Sequence, residues 1–262
     1  MTELAVISDL SREACEDFFL DVAEADESCN HAKRPTDTRF RDLMGAEAWA
    51  RLPDVVRSRF SRRLEPGTAR IFAGTVSETR LSRIGRIVGA VARLVGGPLP
   101  FTDGATGPSH VVVTESVELG GQIWTRTYAR PGKFPQTINS VKRFAGPTGL
   151  EEDLGFGLVM RLTLAAEAAP DARAVAQWAT EATKQNASEG AGNDAALVFR
   201  SAGYDVAIGR FRFAWPGFLS PGCCTITHRA IGDTRFSFTL ALDHPWAGRL
   251  ATQVAYFEEI TP

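Results

Sequence analysis

Cysteine, histidine and lysine are all scarce in this chain of 262 residues. It has four cysteines (Cys15, Cys29, Cys223, Cys224) and four histidines, and its 29 basic residues are nearly all arginine. No C-x-x-C or H-x-x-x-H spacing occurs, so no metal site is expected. Adjacent Cys223 and Cys224 make an awkward disulfide, so reduced thiols in a cytoplasmic protein are expected. No apolar run approaches the ~18 residues of a membrane span, so no transmembrane segment is expected. The N-terminus is acidic where a secretory leader would be basic and then apolar. Gly-x-Ser-x-Gly and glycine-rich phosphate loops are also missing, so a serine hydrolase or nucleotide enzyme is not expected, and no cofactor is implied. A net charge of −2 offers no global pull toward nucleic acid.

What is present reads as a folded β protein. The chain is 44% hydrophobic and 23% charged, near the globular average, and long enough for one large or two small domains. Strand signals are densest from Phe211 to Ile260. Cys224, Ile226 and His228 alternate with Thr225, Thr227 and Arg229, and Phe236, Phe238, Leu240 and Leu242 alternate with Arg235, Ser237, Thr239 and Ala241. Period two argues half-buried strands. Matching the apolar faces sets Cys224, Ile226 and His228 beside the Phe/Leu row, with Gly232 free to take positive φ in the turn. Asp243 to Gly248 ends that hairpin, and Arg249 to Phe257 is the last strand. The corner Trp215 to Gly222 is rich in aromatics and turn residues, and is expected to plug one end.

The chain begins with a helix from Ser11 through Val22, then a polar linker around Pro35. Residues 39–64 read as helices broken at Gly45 and Pro53, with Asp54 as a cap for Val55, Val56 and Phe60. Thr68 to Thr79 is a strand. Leu81, Ile84, Ile87, Val88, Val91, Leu94 and Val95 form one apolar stripe with arginines around it. This is expected to be a core-packing helix, with a membrane-surface helix as the alternative. His110 to Leu119 and Gln122 to Arg130 form a hairpin about Gly120-Gly121. That turn opposes Val117 to Trp124, Glu115 to Arg126 and Val113 to Tyr128, an acid–base pair on an apolar face. Ile138 to Phe144 is a strand. From Glu152 to Leu164 the even positions share one parity, with Gly155 and Gly157 as bend points that leave the direction of Glu152 open. Residues 170–193 read as a helix and loop, either a lid or a surface excursion. Leu197 to Phe213 reads as a hairpin turning near Gly203.

Several short segments together resemble one family. They are Phe40 to Gly45, Leu52-Pro53, Gly74, Leu99-Pro100, Trp124 to Tyr128, Glu152 to Gly155, Pro216 to Pro221 and Asp243 to Gly248. Their order is similar to DUF4166, a family of bacterial domains of unassigned function, from about Phe40 onward. Such domains often follow a dehydrogenase-like Rossmann domain, so the resemblance implies a small-molecule metabolic context and an oxidoreductase-type partner. The chain departs from the pattern in its last strand, where Gln253-Val-Ala255 stands for an expected Tyr-x-Gly, and in the 170–193 insertion.

The expected fold is α+β: an acidic helical extension over 1–38, then a single domain over 39–262. That domain has helices over 39–64 and a strongly curved antiparallel sheet or barrel over 68–262, with the helix 81–95 filling or covering its concave side. Calycin-like and helix-grip arrangements both fit. Cys224 and His228 lie about 13 Å apart at ~3.3 Å per residue, too far for a thiol–imidazole pair. The interior should therefore offer Arg126, Glu115, Trp124, Tyr128, Phe236 and Phe238 to an apolar or amphipathic small molecule. A cofactor-independent isomerase or cyclase with Glu152 or His228 as acid/base is the second reading. A protein-docking domain using the arginine-bearing helix is the third.

Overall fold

A computed structural model describes residues 36–94, 104, 106–130, 132–168, 195–217, 220–232 and 234–260. The expected helix at 11–22, the linker around Pro35 and the 170–193 segment fall outside the described residues. Three short helices come first: α1 (Arg39–Met44), α2 (Ala46–Ala50) and α3 (Asp54–Phe60). The strand β1 (Ala69–Leu81) leads into the helix α4 (Arg83–Leu94). Then come β2 (Gly107–Ser116), β3 (Gly121–Tyr128), β4 (Gln136–Arg143), β5 (Glu151–Asp153) and β6 (Leu158–Ala168). The chain ends with β7 (Ala195–Ile208), β8 (Phe211–Ala214), β9 (Cys223–Ile231), β10 (Arg235–His244) and β11 (Gly248–Ile260).

All pairings are antiparallel, in the order β6-β5-β4-β3-β2-β1-β11-β10-β9-β7, and β6 also pairs with β7. That last pairing closes a ten-stranded barrel and leaves no free edge in the ring. The short β8 continues the line of β9 along β7. The barrel half of the expectation is therefore met, while the described helices are few and small. Every strand long enough to alternate carries a buried row, and the four described helices cannot cover them all from outside. The buried rows therefore face the lumen.

One end of the barrel is plugged by α1 and α3. Phe40 packs edge-on to Phe60 (5.1 Å between centroids) and Phe144 (4.9 Å), and Phe60 reaches Phe199 (5.7 Å) and His228 (5.3 Å). These aromatics belong to the larger of two core clusters; the second gathers Phe72, Val111, Val113, Phe236 and Phe257, and Trp124 and Phe238 touch both. The plug is pinned by ions. Arg39 donates to Asp37 and, at 2.9 Å, to Glu115 on β2, while Arg70 on β1 donates to the Arg59 carbonyl at 2.5 Å.

The structure corrects several local expectations. The β2–β3 turn comprises residues 117–120, with Ser116 opposite Gly121. Gly120 takes φ +64°, but Gly121 belongs to the ladder, where a Cβ would lie 2.0 Å from the Lys142 carbonyl oxygen. The register therefore shifts by four, an even number. Glu115 and Arg126 keep their face, yet Glu115 opposes Gln122 and Arg126 opposes Val111. Glu115 pairs with Arg39 instead. The strand β7 runs straight through Gly203, which sits at an irregularity opposite β6, and it turns only at Gly209 (φ +58°). The Glu152 to Leu164 segment splits into β5 and β6 at Gly155-Phe156-Gly157, all at positive φ. The helix α3 is capped by Pro53, and Asp54 in its first turn pairs with Arg57. Trp215 is exposed and does not plug the barrel; Phe218 and Leu219 are outside the described residues.

The largest correction concerns α4. Gly85 lies so close to β11 that a Cβ would meet the Leu250 carbonyl oxygen at 1.9 Å, so the small-residue side of the helix faces the barrel. The apolar stripe then divides: Val88 is half-buried against the core, but Ile84, Ile87 and Val91 are exposed. The exposed part of the stripe therefore does not enter the lumen. The other connections at the same barrel end carry exposed Phe134, Phe156, Ile208, Phe211 and Trp246. No described helix is long and apolar enough to cross a membrane.

The register makes a prediction. In a double-mutant cycle, Arg39→Gln with Glu115→Gln should show a coupling of about 0.5–3 kcal/mol, as contacting ionic residues do. The cycle Glu115→Gln with Arg126→Gln should be additive. Chemical denaturation checks both, and coupling only in the second cycle would overturn the register.

Candidate functional site

The polar heart of the lumen is made by β3, β4 and β5. Alternation along β3 points Gln122, Trp124, Arg126 and Tyr128 to one face, and the β4 partners Lys142, Ser140, Ile138 and Gln136 oppose them. Lys142 in turn opposes Glu152 on β5, and Glu152 opposes Met160 on β6. Glu152 therefore enters the lumen, and Lys142 and Ser140 enter beside it.

Glu152 is 2% exposed and takes three contacts. Lys142 Nζ donates to Oε2 at 2.7 Å, the Ser140 hydroxyl donates to Oε1 at 2.5 Å, and Arg126 Nη2 reaches Oε1 at 3.3 Å. Arg126 Nη1 also donates to the Ser140 oxygen at 3.0 Å. Burial by itself would raise the Glu152 pKa, but the charges of Lys142 and Arg126 prevail and hold it down to about 2. Burial lowers the Lys142 pKa, and Glu152 opposes that shift. The group is thus a buried triad in which one ionised carboxylate lies between two basic side chains, Lys142 at 2.7 Å and Arg126 at 3.3 Å.

Trp124 forms the adjoining wall. Its ring lies 4.9 Å from Lys142 Nζ and 5.8 Å from the Arg126 guanidinium carbon, within cation–π range. Tyr128 sits further along the same strand and donates to Gln253 Oε1 at 3.3 Å, while Gln253 donates to the Thr79 hydroxyl at 3.4 Å. Burial raises the Tyr128 pKa, so its phenol stays protonated. Trp124, Tyr128 and Phe238 are only half-buried although their strands point them inward.

His228 is boxed by the rings of Phe60, Phe199, Phe236 and Phe238, all 5.3–5.9 Å away. Burial, reinforced by Arg59, Lys142 and Arg126, lowers its pKa well below the usual value, so the imidazole is neutral. Its Nδ1 has no hydrogen-bond partner. Burial, then Glu152, pushes the Cys224 thiol up to about 12, which removes it as a nucleophile. Cys223 and Cys224 are free thiols. Among the described residues no three His, Cys, Asp or Glu side chains gather as metal ligands.

The structure brings Arg126, Glu152 and Trp124 into contact and sets Tyr128 on the same face. It groups His228 with Phe236 and Phe238 in the neighbouring aromatic patch. It takes Glu115 out to the plugged end. Reading the sequence missed Lys142, Ser140 and Gln253. A signal existed for two of them: Ser140 and Lys142 share parity with Ile138, and lysine occurs only four times in the chain.

The family model for DUF4166, described as a domain of unknown function, matches residues 52–185 and 182–257. The chain belongs to the DUF4166 family. Thus the DUF4166 match spans the plug helix α3, the ionic triad and the barrel up to Phe257 in β11. No curated protein matches the chain. No solved structure matches it either.

Removing the carboxylate should leave two cations buried without compensation, so Glu152→Gln should lose about 3–5 kcal/mol at pH 7. The folded pKa is depressed, so Glu152's contribution is present above its unfolded pKa of roughly 4.3 and fades as pH falls through about 2. The stability gap between the native chain and the variant should therefore narrow below pH ~4 and close near pH ~2. Urea denaturation across that range checks it; a gap independent of pH would show that Glu152 is not ionised in the fold.

Proposed function

We propose that the barrel is a binding domain for a small apolar or amphipathic molecule held in the lumen. The observation that carries this reading is the Arg126–Glu152–Lys142 triad, buried beside the half-buried Trp124, Tyr128 and Phe238. Well-packed apolar residues in place of a buried ion network usually leave a fold as stable or more so. Stability alone is therefore a poor reason for it. An apolar cavity with a few convergent polar groups is the general form of a small-molecule site. The two basic groups of the triad suit a ligand that presents a carboxylate or a polarised carbonyl to Arg126.

The enzymatic reading uses the same groups. Glu152, held ionised at about 2, is a weak proton acceptor at neutral pH and better suited to orienting Lys142 and Arg126. His228, neutral and with a free Nδ1, is the stronger candidate for a base, and Arg126 would then stabilise developing negative charge. An acid/base role requires His228→Gln to abolish turnover while leaving ligand affinity nearly intact.

Native mass spectrometry of the purified protein should find a non-covalent adduct that denaturing extraction releases. Arg126→Leu should lose the adduct while keeping the barrel's circular dichroism. A bare mass for both proteins would count against a holding role.

A second reading rests on the opposite end from the plug. There α4 exposes Ile84, Ile87 and Val91 beside exposed Arg83 and Arg86, and the neighbouring connections expose Phe134, Phe156 and Trp246. Apolar side chains flanked by arginines suit an anionic lipid surface. Vesicles rich in phosphatidylglycerol should co-sediment the protein in low salt, and Arg83→Glu with Ile87→Glu should abolish this. Equal binding to neutral phosphatidylcholine vesicles, or no binding to either, would end the reading.

A further inference from the structure

The plugged end of the barrel holds a second feature that the ionic triad does not explain. Arg59, on α3, is 9% exposed, and its Nε, Nη1 and Nη2 all lack a hydrogen-bond partner. Its guanidinium carbon lies 3.4 Å from the centroid of the Phe236 ring and 5.6 Å from that of Phe60. Such stacking offsets only part of what burying an unpaired ion costs. The nearby carboxylate of Glu259 is already engaged, since Arg70 binds both of its oxygens, at 2.9 and 2.5 Å.

A cavity of about 20 Å³ opens beside this guanidinium. Arg59, Arg62, Arg70, Gln122 and Trp124 supply its polar lining, and no acidic residue lines it. The Trp124 indole Nε1 is also buried without a partner. Two orphaned donors, one of them charged, thus share the wall of one cavity. Buried donors of this kind are almost always satisfied, by water or by a bound group. One water needs ~10–15 Å³, so the space admits one compact species. A water would accept some N–H groups and leave the charge of three arginines against one carboxylate. An anion answers both the donors and the charge. Arg59's pKa is pushed down to about 9, by burial first and then by Arg70, which is the sign of a site short of negative charge.

We infer that Arg59 and Trp124 form a binding site for a compact monovalent anion, seated between the plug helix α3 and the barrel wall. The ligand is either a small inorganic anion or a carboxylate group. It ties the plug to β3, and through Trp124 it lies behind Lys142 and Arg126, which stack on the same indole. The site stands on its own residues and does not depend on a ligand in the lumen.

The test uses the full chain in sodium gluconate, whose anion is too large for the cavity, exchanged at constant ionic strength for chloride, nitrate, formate or sulfate. The melting temperature should rise saturably with the compact monovalent anions and not with sulfate. Formate acting at far lower concentration than chloride would mark a carboxylate site, and the reverse order an inorganic one. Arg59→Met should melt above the native chain in gluconate and respond to none of the anions. Trp124→Phe removes only the indole donor, and should weaken the half-saturating concentration by roughly tenfold, as losing one hydrogen bond to a charged group does. A native chain with the same melting temperature in every anion would overturn the site, as would an unchanged anion response in Arg59→Met or in Trp124→Phe.

Discussion

A carboxylate with almost no solvent must find its compensation inside the protein, and Glu152 finds it across three strands. Lys142 and Ser140 come from β4, Arg126 comes from β3, and Glu152 itself comes from the three-residue β5. The shortest strand of the barrel thus carries its most demanding group. Removing Glu152 leaves Lys142 and Arg126 without their counter-ion in a low-dielectric space, so β3, β4 and β5 are held to a single register by electrostatics as well as by their ladders. The lumen is divided by the same arrangement. On one side Phe199, Phe236 and Phe238 enclose a neutral His228, and on the other Trp124, Tyr128, Gln253 and Thr79 line a more open and more polar stretch.

The two barrel ends are built on opposite principles. The plugged end is sealed by aromatic stacking among Phe40, Phe60 and Phe199 and pinned by arginines that reach carboxylates or carbonyls. Arg59 is the exception there, since it has a ring beneath it and no acceptor. The other end presents apolar side chains to solvent on α4 and on most of the strand connections. Gly85 is what forces that presentation. It brings the helix backbone against Leu250, turning Ile84, Ile87 and Val91 away from the core.

The faces of the strands could be read from the sequence, but their pairing could not. Period two placed Trp124, Arg126 and Tyr128 inward, and it set His228 on the face of the Phe/Leu row in the C-terminal hairpin, where the ladder puts it opposite Phe238. Parity survives any even slip, however. The β2–β3 hairpin slipped by four because the backbone of β4 approaches Gly121 closely, a contact between segments twenty residues apart. The Glu115–Arg126 pair vanished with it. Distance in the chain also hid Arg39 from Glu115 and Lys142 from Glu152. In α4, an apolar stripe with helical spacing stated that one face is greasy, not which face packs. Gly85 was the better guide, because only a bare backbone can sit on a carbonyl.

The central claim is that Glu152 is an ionised, permanently paired carboxylate inside the barrel. Carbon-13 NMR of the glutamate side chains tests it directly, with the Glu152 resonance assigned by its absence in Glu152→Gln. The account predicts a carboxylate signal that stays ionised at pH ~3 and titrates only toward about 2, if the fold persists that far. A resonance that titrates in the ordinary glutamate range near pH ~4.3 would contradict it, and would mean that the lumen is wet and the triad open.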